Sequence, residues 1–182
     1  ITFGWYLLGI AHAMERDHRR IAECFARIDL NPLGTGAVAG TSFPVDRALT
    51  ARLLGFAGVC GHAQDAVASR DFLTELVGGA AMLANTWGRM AQDFFVMSSY
   101  EFATLRFPDS VAGTSSMMPQ KKNLVVLETL KARAATVLGA QVAAFVGVKG
   151  TNFTNTVDGS SAAFRWVWEA LEDTARGLAV AE

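Results

Sequence analysis

The chain has 182 residues, of which 51% are hydrophobic and 18% charged, and its net charge is −1. So large an apolar share excludes a disordered polymer, and so small a net charge gives no electrostatic footprint for nucleic acid. At single-domain length the surplus must be buried in a membrane or against another chain.

In chain order, the first predicted helix covers residues 2–29. Asn31-Pro32-Leu33-Gly34 stops it, because proline removes a donor and disfavours helix in the residue before it. A loop rich in Gly, Ala and Thr follows over residues 34–44. Asp46 then caps a short helix to about Phe56. Residues 57–68 read as a turn with a short helical piece.

The strongest periodic signal spans residues 71–97. Leu73, Leu76, Ala80, Leu83, Trp87, Met90, Phe94 and Met97 alternate spacings of three and four. A second seam of mostly small residues, Val77, Ala81, Ala84, Gly88, Ala91 and Phe95, runs beside it. Asp71, Glu75, Asn85, Arg89, Gln92 and Asp93 are confined to one stripe. Such a helix has neighbours on two sides.

Residues 106–122 cannot be helical throughout, since they contain Pro108, Gly113 and Pro119. Asn123 or Leu124 opens the next helix, which runs to Val148 and ends on Lys149-Gly150. Residues 151–161 form a polar loop. Ser160 or Ser161 caps a last helix over residues 162–182, with Phe164, Trp168, Leu171 and Ala175 on one face. The fold class is all-α, a bundle of long helices.

A membrane span is not expected. The apolar stretch 1–14 ends at Glu15-Arg16-Asp17, and the uncharged stretch 134–148 is short and carries Gln141, whereas a spanning helix needs about 20 apolar residues. Subunit association accounts better for the apolar surplus. Cys24 and Cys60 show neither metal nor redox spacing, and the default compartment is a reducing one.

One segment concentrates chemistry: Gly113-Thr-Ser-Ser-Met-Met-Pro-Gln-Lys-Lys-Asn123. Two serines, two lysines and an amide precede a helix N-terminus, a natural place for a carboxylate. The chemistry this suggests is proton abstraction beside a carboxylate, with the developing charge held by Lys and Asn. A solvated Ser- and Lys-rich loop is the alternative on these grounds.

Residues 115–123 closely resemble the GSSxMPxKxN motif of the aspartase/fumarase superfamily, in the Gln-Lys-Lys version seen in argininosuccinate lyases. Residues 31–47, Asn-Pro-Leu-Gly-Thr-Gly-Ala-Val-Ala-Gly-Thr-Ser-Phe-Pro-Val-Asp-Arg, look like a second segment of those lyases. Ser69-Arg-Asp-Phe72 and Ser98-Ser-Tyr-Glu-Phe102 fit too, and the resemblance reaches from Ile1 to about Gly150.

The resemblance implies an aspartase/fumarase-type bundle at the core of a homotetramer, in which residues 1–182 are the central domain of a longer, cytoplasmic lyase. It implies C–N cleavage of an argininosuccinate-like N-substituted aspartate with release of fumarate, without metal or organic cofactor, and a place in arginine biosynthesis. Ser115 would be the catalytic base, Lys121 and Asn123 would stabilise the aci-carboxylate, and Thr114, Ser116 and Met118 would help to bind substrate. Two further motif regions of the family, one with Ser-Arg-Asn and one with Thr-His, would lie upstream. His12, His18 and His62 do not match that histidine, and Asp46 and Arg47 read as a cap and a structural ion pair.

Three departures stand out. Thr114 takes the place of the glycine before the first serine. Leu124-Val125 replaces Pro-Asp. Beyond Lys149-Gly150, where the family's pocket carries Tyr, Gln and Lys, this chain has Asn155, Ser160 and Ala163, and only Asp158 matches. A pocket that loses buried polar partners binds its old substrate poorly. The expectation is therefore a lyase with a different amine half; the alternative is a non-catalytic relative in a structural, crystallin-like role.

Overall fold

A computed structural model describes residues 1–159 and 163–181. Four long helices, α1 (Phe3–Ile28), α4 (Asp71–Met97), α5 (Val125–Lys149) and α6 (Ala163–Ala181), form the bundle, and two short ones, α2 (Arg47–Leu54) and α3 (Ala63–Ala68), join α1 to α4. The side chain of Thr2 caps α1 by accepting from the Trp5 N–H at 3.2 Å. Asp46 caps α2 through the Leu49 N–H at 2.8 Å. The expected caps Ser160 and Ser161 lie outside the described residues.

Helix α4 is the centre of the bundle and touches α1, α5 and α6. Both of its predicted seams are used: Leu73, Val77, Ala80, Ala81, Leu83, Ala84, Trp87 and Ala91 are buried. The small residues set the approach. A Cβ on Gly88 would lie 3.2 Å from Ala134 of α5, and one on Gly79 would lie 3.2 Å from Ile21 of α1. The polar stripe of α4 faces outward. From α1, the buried carboxylate of Asp17 ties the two helices together, accepting from Thr86 Oγ1 at 2.6 Å and from Arg20 at 2.7 Å.

Several expectations are corrected. The inner face of α6 is Phe164, Val167, Ala170 and Thr174, with Leu171 partly buried beside it; Phe164 and Leu171 are as expected, whereas Ala175 is exposed and Trp168 is 58% exposed. The small residues of α6 decide its rotation. A Cβ on Gly177 would lie 3.0 Å from the fully buried indole of Trp87, so α6 presents its smallest surface to that ring. Residues 57–68 contribute a strand as well as a helix: β2 (Gly58–Val59) pairs in parallel with β1 (Leu30–Asn31). Arg47 fixes the preceding loop through carbonyls, donating to Leu33 O at 2.9 Å and Cys60 O at 3.0 Å, and among the described residues it makes no ion pair. Of the two residues expected to open α5, Leu124 is its N-cap and Asn123 lies in a strand ahead of it.

The apolar surplus is divided. The α4 seams are buried by the chain's own helices. On α5, by contrast, Leu138, Val142, Phe145 and Val146 form an exposed apolar stripe. No described helix is long and apolar enough to cross a membrane.

Candidate active site

At one end of the bundle α4 stops and α5 starts, and residues 98–124 bridge them. The descent from α4 is pinned by Thr104 and Leu105, whose N–H groups both donate to Met97 O, at 2.8 and 3.1 Å. Ala103 takes φ 46°, a left-handed turn that an L side chain adopts at some cost. A short 3₁₀ turn, Asp109–Val111, leads into β3 (Gly113–Thr114), which pairs antiparallel with β4 (Lys122–Asn123). The register sets Gly113 opposite Asn123 and Thr114 opposite Lys122. This pairing turns residues 115–121 into a closed hairpin loop at the mouth of α5.

Ser115 begins the loop. Its Oγ accepts the N–H groups of Met117 and Met118, at 3.3 and 3.2 Å. Two donors on one hydroxyl oxygen favour negative charge there, the arrangement a serine needs if it is to give up its proton. Lys121 N–H donates to Met118 O at 2.9 Å and closes the turn. Lys122 is ion-paired with Asp109; both side chains are exposed, so the pair contributes little stability.

Between the end of α4 and the hairpin lies an open cavity of about 600 Å³. One wall is Phe95, Ser98, Ser99, Tyr100, Arg106 and Phe107. The other is β4 and the start of α5: Lys121, Lys122, Asn123, Leu124 and Glu128. Of the six residues expected to act on substrate, Lys121 and Asn123 therefore face one cavity. Ser115 is half-buried at the base of the loop, Thr114, Ser116 and Met118 are exposed on it, and none of these four lines the cavity. Neither the Lys121 ammonium nor the Arg106 guanidinium has a hydrogen-bond or ion-pair partner among the described residues. Two unneutralised cations, an amide and the hydroxyls of Ser98, Ser99 and Tyr100 suit a ligand with more than one carboxylate.

Sequence reasoning did not place Ser98, Ser99, Arg106 or Glu128 at the site, although all four line the cavity. Glu128 had a readable signal, as the sole acidic residue in the first turns of an apolar helix. Arg106 had none, since only the fold sets it opposite β4. Of the segment beyond α5, Asn155 is exposed; Ser160 and the side chain of Ala163 lie outside the described residues. His12 bonds Glu15 at 3.4 Å and His62 accepts the Asp65 N–H at 3.4 Å, so both are engaged locally. Cys24 and Cys60 are free thiols, each pushed up in pKa chiefly by burial. No cluster of three or more His, Cys, Asp or Glu side chains among the described residues could hold a metal ion.

Known proteins resemble this chain in sequence and in fold. A family model described as lyase matches residues 1–139. The argininosuccinate lyase 1 of Shouchella clausii is 41% identical over 174 residues, which is 96% of this chain and 35% of that protein. The argininosuccinate lyase of Methanothermobacter thermautotrophicus is 40% identical over 157 residues, 86% of this chain and 34% of that one. Among solved structures, an EDDS lyase variant with bound fumarate superposes with a TM-score of 0.85 at 31% identity, over 97% of this chain and 37% of that one. The class II fumarase of Schistosoma mansoni superposes with a TM-score of 0.84 over 97% of this chain and 42% of that one; at 18% identity it shows the shared fold alone. The chain spans about a third of the length of the curated relatives it matches.

Proposed function

Because the chain belongs to the lyase family of the aspartase/fumarase superfamily, we propose that it supplies the helical core and the carboxylate-binding loop of a carbon–nitrogen lyase acting on N-substituted aspartates. The observation that carries this reading is the convergence of Lys121 and Asn123 on one cavity, beside a serine whose hydroxyl oxygen receives two N–H donors.

In the proposed reaction Ser115 removes the proton from the carbon next to a substrate carboxylate. The electron pair moves into that carboxylate, giving an aci-carboxylate dianion held by Lys121 and Asn123. Its return expels the nitrogen on the neighbouring carbon, an acid protonates the leaving amine, and fumarate is left. Ser115 does not line the cavity here, so the loop swings toward bound substrate in this scheme; Thr114, Ser116 and Met118, exposed on the same loop, offer backbone groups to the carboxylate.

The protein works as a homotetramer in this reading. The exposed stripe of Leu138, Val142, Phe145 and Val146 supports it, being large, uncharged and uncovered in the single chain. The two free thiols fit a reducing, cytoplasmic setting. An argininosuccinate substrate would give the protein its place in arginine biosynthesis.

The test follows fumarate absorbance as the complete protein is offered argininosuccinate and a panel of N-substituted aspartates. Ser115→Ala should lower kcat by about 10²–10⁴-fold, the range of a lost general base. Release of fumarate at unchanged rate by that variant would remove Ser115 from the chemistry.

A further inference from the structure

The hairpin loop carries a side chain that the reaction scheme leaves unused. Met117 is 86% exposed, well ahead of Met82 at 47% and Met118 at 45%. Met14, Met90 and Met97, the remaining three of the chain's six methionines, are partly buried. Met117 stands two residues from Ser115, and its own N–H is one of the two that donate to Ser115 Oγ, at 3.3 Å. The β3–β4 pairing and the 2.9 Å bond from Lys121 N–H to Met118 O close the loop around it, so a movement of Met117 is a movement of the serine.

A thioether this exposed is open to peroxides. One peroxide oxygen passes to the sulfur: the O–O bond breaks, an S=O bond forms, the sulfur is oxidised by two electrons, and the other oxygen leaves as water. A flexible apolar side chain thereby becomes a polar one. The two thiols are poorer targets, since Cys24 is buried and burial pushes both away from the reactive thiolate. The change in polarity acts on the movement that the lyase scheme requires. Ser115 reaches substrate when the loop swings toward the cavity, and an apolar side chain on the loop leaves water as it does so. That burial favours closure, whereas a sulfoxide keeps its full hydration only with the loop open.

We propose that Met117 is an oxidation site through which a peroxide reversibly switches the lyase off, the sulfoxide holding the Ser115 loop open. This rests on the lyase reading above and adds regulation to its loop. The Met117 side chain takes no part in the proton transfers.

In the experiment the complete protein is treated with hydrogen peroxide, the oxygen gained at each methionine is located by peptide mass, and fumarate release is followed on a substrate that the untreated protein turns over. The rate should fall by about 10- to 100-fold, the factor by which burial of one such side chain favours a closed state, in step with the gain of one oxygen on Met117. Methionine sulfoxide reductase with dithiothreitol should restore it, and dithiothreitol alone should not. Met117→Leu keeps the backbone donor and an apolar side chain without sulfur, so its treated-to-untreated ratio should stay near one. Met117→Gln, polar and of similar length, should be slow before any treatment. Oxidation of Met117 without loss of rate, equal sensitivity in Met117→Leu, recovery with dithiothreitol alone, or a Met117→Gln variant at wild-type rate each overturns the proposal. Untreated protein that releases fumarate from no N-substituted aspartate overturns the lyase reading instead, while peptide mass still shows which methionine is oxidised.

Discussion

Replacing Gly113 with alanine tests whether the β3–β4 pairing holds Asn123 where the site needs it. The added Cβ would lie 2.6 Å from Val125 Cγ2, whereas carbon atoms in contact settle at about 3.5–4.0 Å. Something must therefore move by roughly 1 Å. Val125 is 47% exposed and can leave its rotamer, at about 0.5–1.5 kcal/mol. If instead β3 backs away, it does so from Asn123, its direct partner. A displacement of that size at a positioning group can cost about 10²-fold in rate. Gly113→Ala should thus lower stability by only about 1 kcal/mol yet lower kcat/KM for fumarate release by about 10- to 100-fold. Urea unfolding and fumarate absorbance on the complete protein measure the two effects. Gly61→Ala is the control, because a Cβ there meets open space. A Gly113→Ala enzyme with wild-type kcat/KM would show that Asn123 does not depend on this pairing.

Three further outcomes are expected. Trp87→Ala removes a side chain buried against α5 and α6 and should cost about 3–5 kcal/mol; unfolding at one fixed protein concentration measures it, and a loss below about 1 kcal/mol would contradict the packing. Thr86→Val takes one of two donors from the buried Asp17 carboxylate and should cost about 1–3 kcal/mol, with Thr86→Ser retaining most of the stability. The Tyr6 phenol is pushed up to about 12, first by burial and then by its 2.6 Å hydrogen bond to Asp93. Since the folded state holds that proton more tightly than the unfolded chain, the stabilisation is present below pH about 10 and is lost as pH rises toward about 12. In a Tyr100→Phe background the phenolate absorbance should report this midpoint, and Asp93→Asn should lower it; a midpoint indifferent to Asp93 would contradict the assignment.

The bundle was legible because its signals are local and repeated. Alternation of three and four from Leu73 to Met97 set α4, Asp46 set the start of α2, and Lys149-Gly150 set the end of α5. The rotation of α6 was not legible. Trp168 has the right spacing for a core position, and only the proximity of Gly177 to Trp87 shows that the small face turns inward. The two-residue strands escaped because pairing of Gly113 with Asn123 depends on chain closure, not on alternation. At the site, residues on the motif could be named from their order, and Lys121 and Asn123 meet the same cavity. Arg106 could not, because the wall it occupies is contributed by a segment with no periodicity of its own.

The length of α5 has a consequence for how a site can be assembled. Its 25 residues hold the loop of Ser115, Lys121 and Asn123 about 37 Å from the segment that starts at Gly150. No single small molecule touches both ends of one chain. A small ligand held at the loop of one chain is therefore out of reach of that chain's Asn155, and a substrate that meets both segments must take them from different copies of the chain.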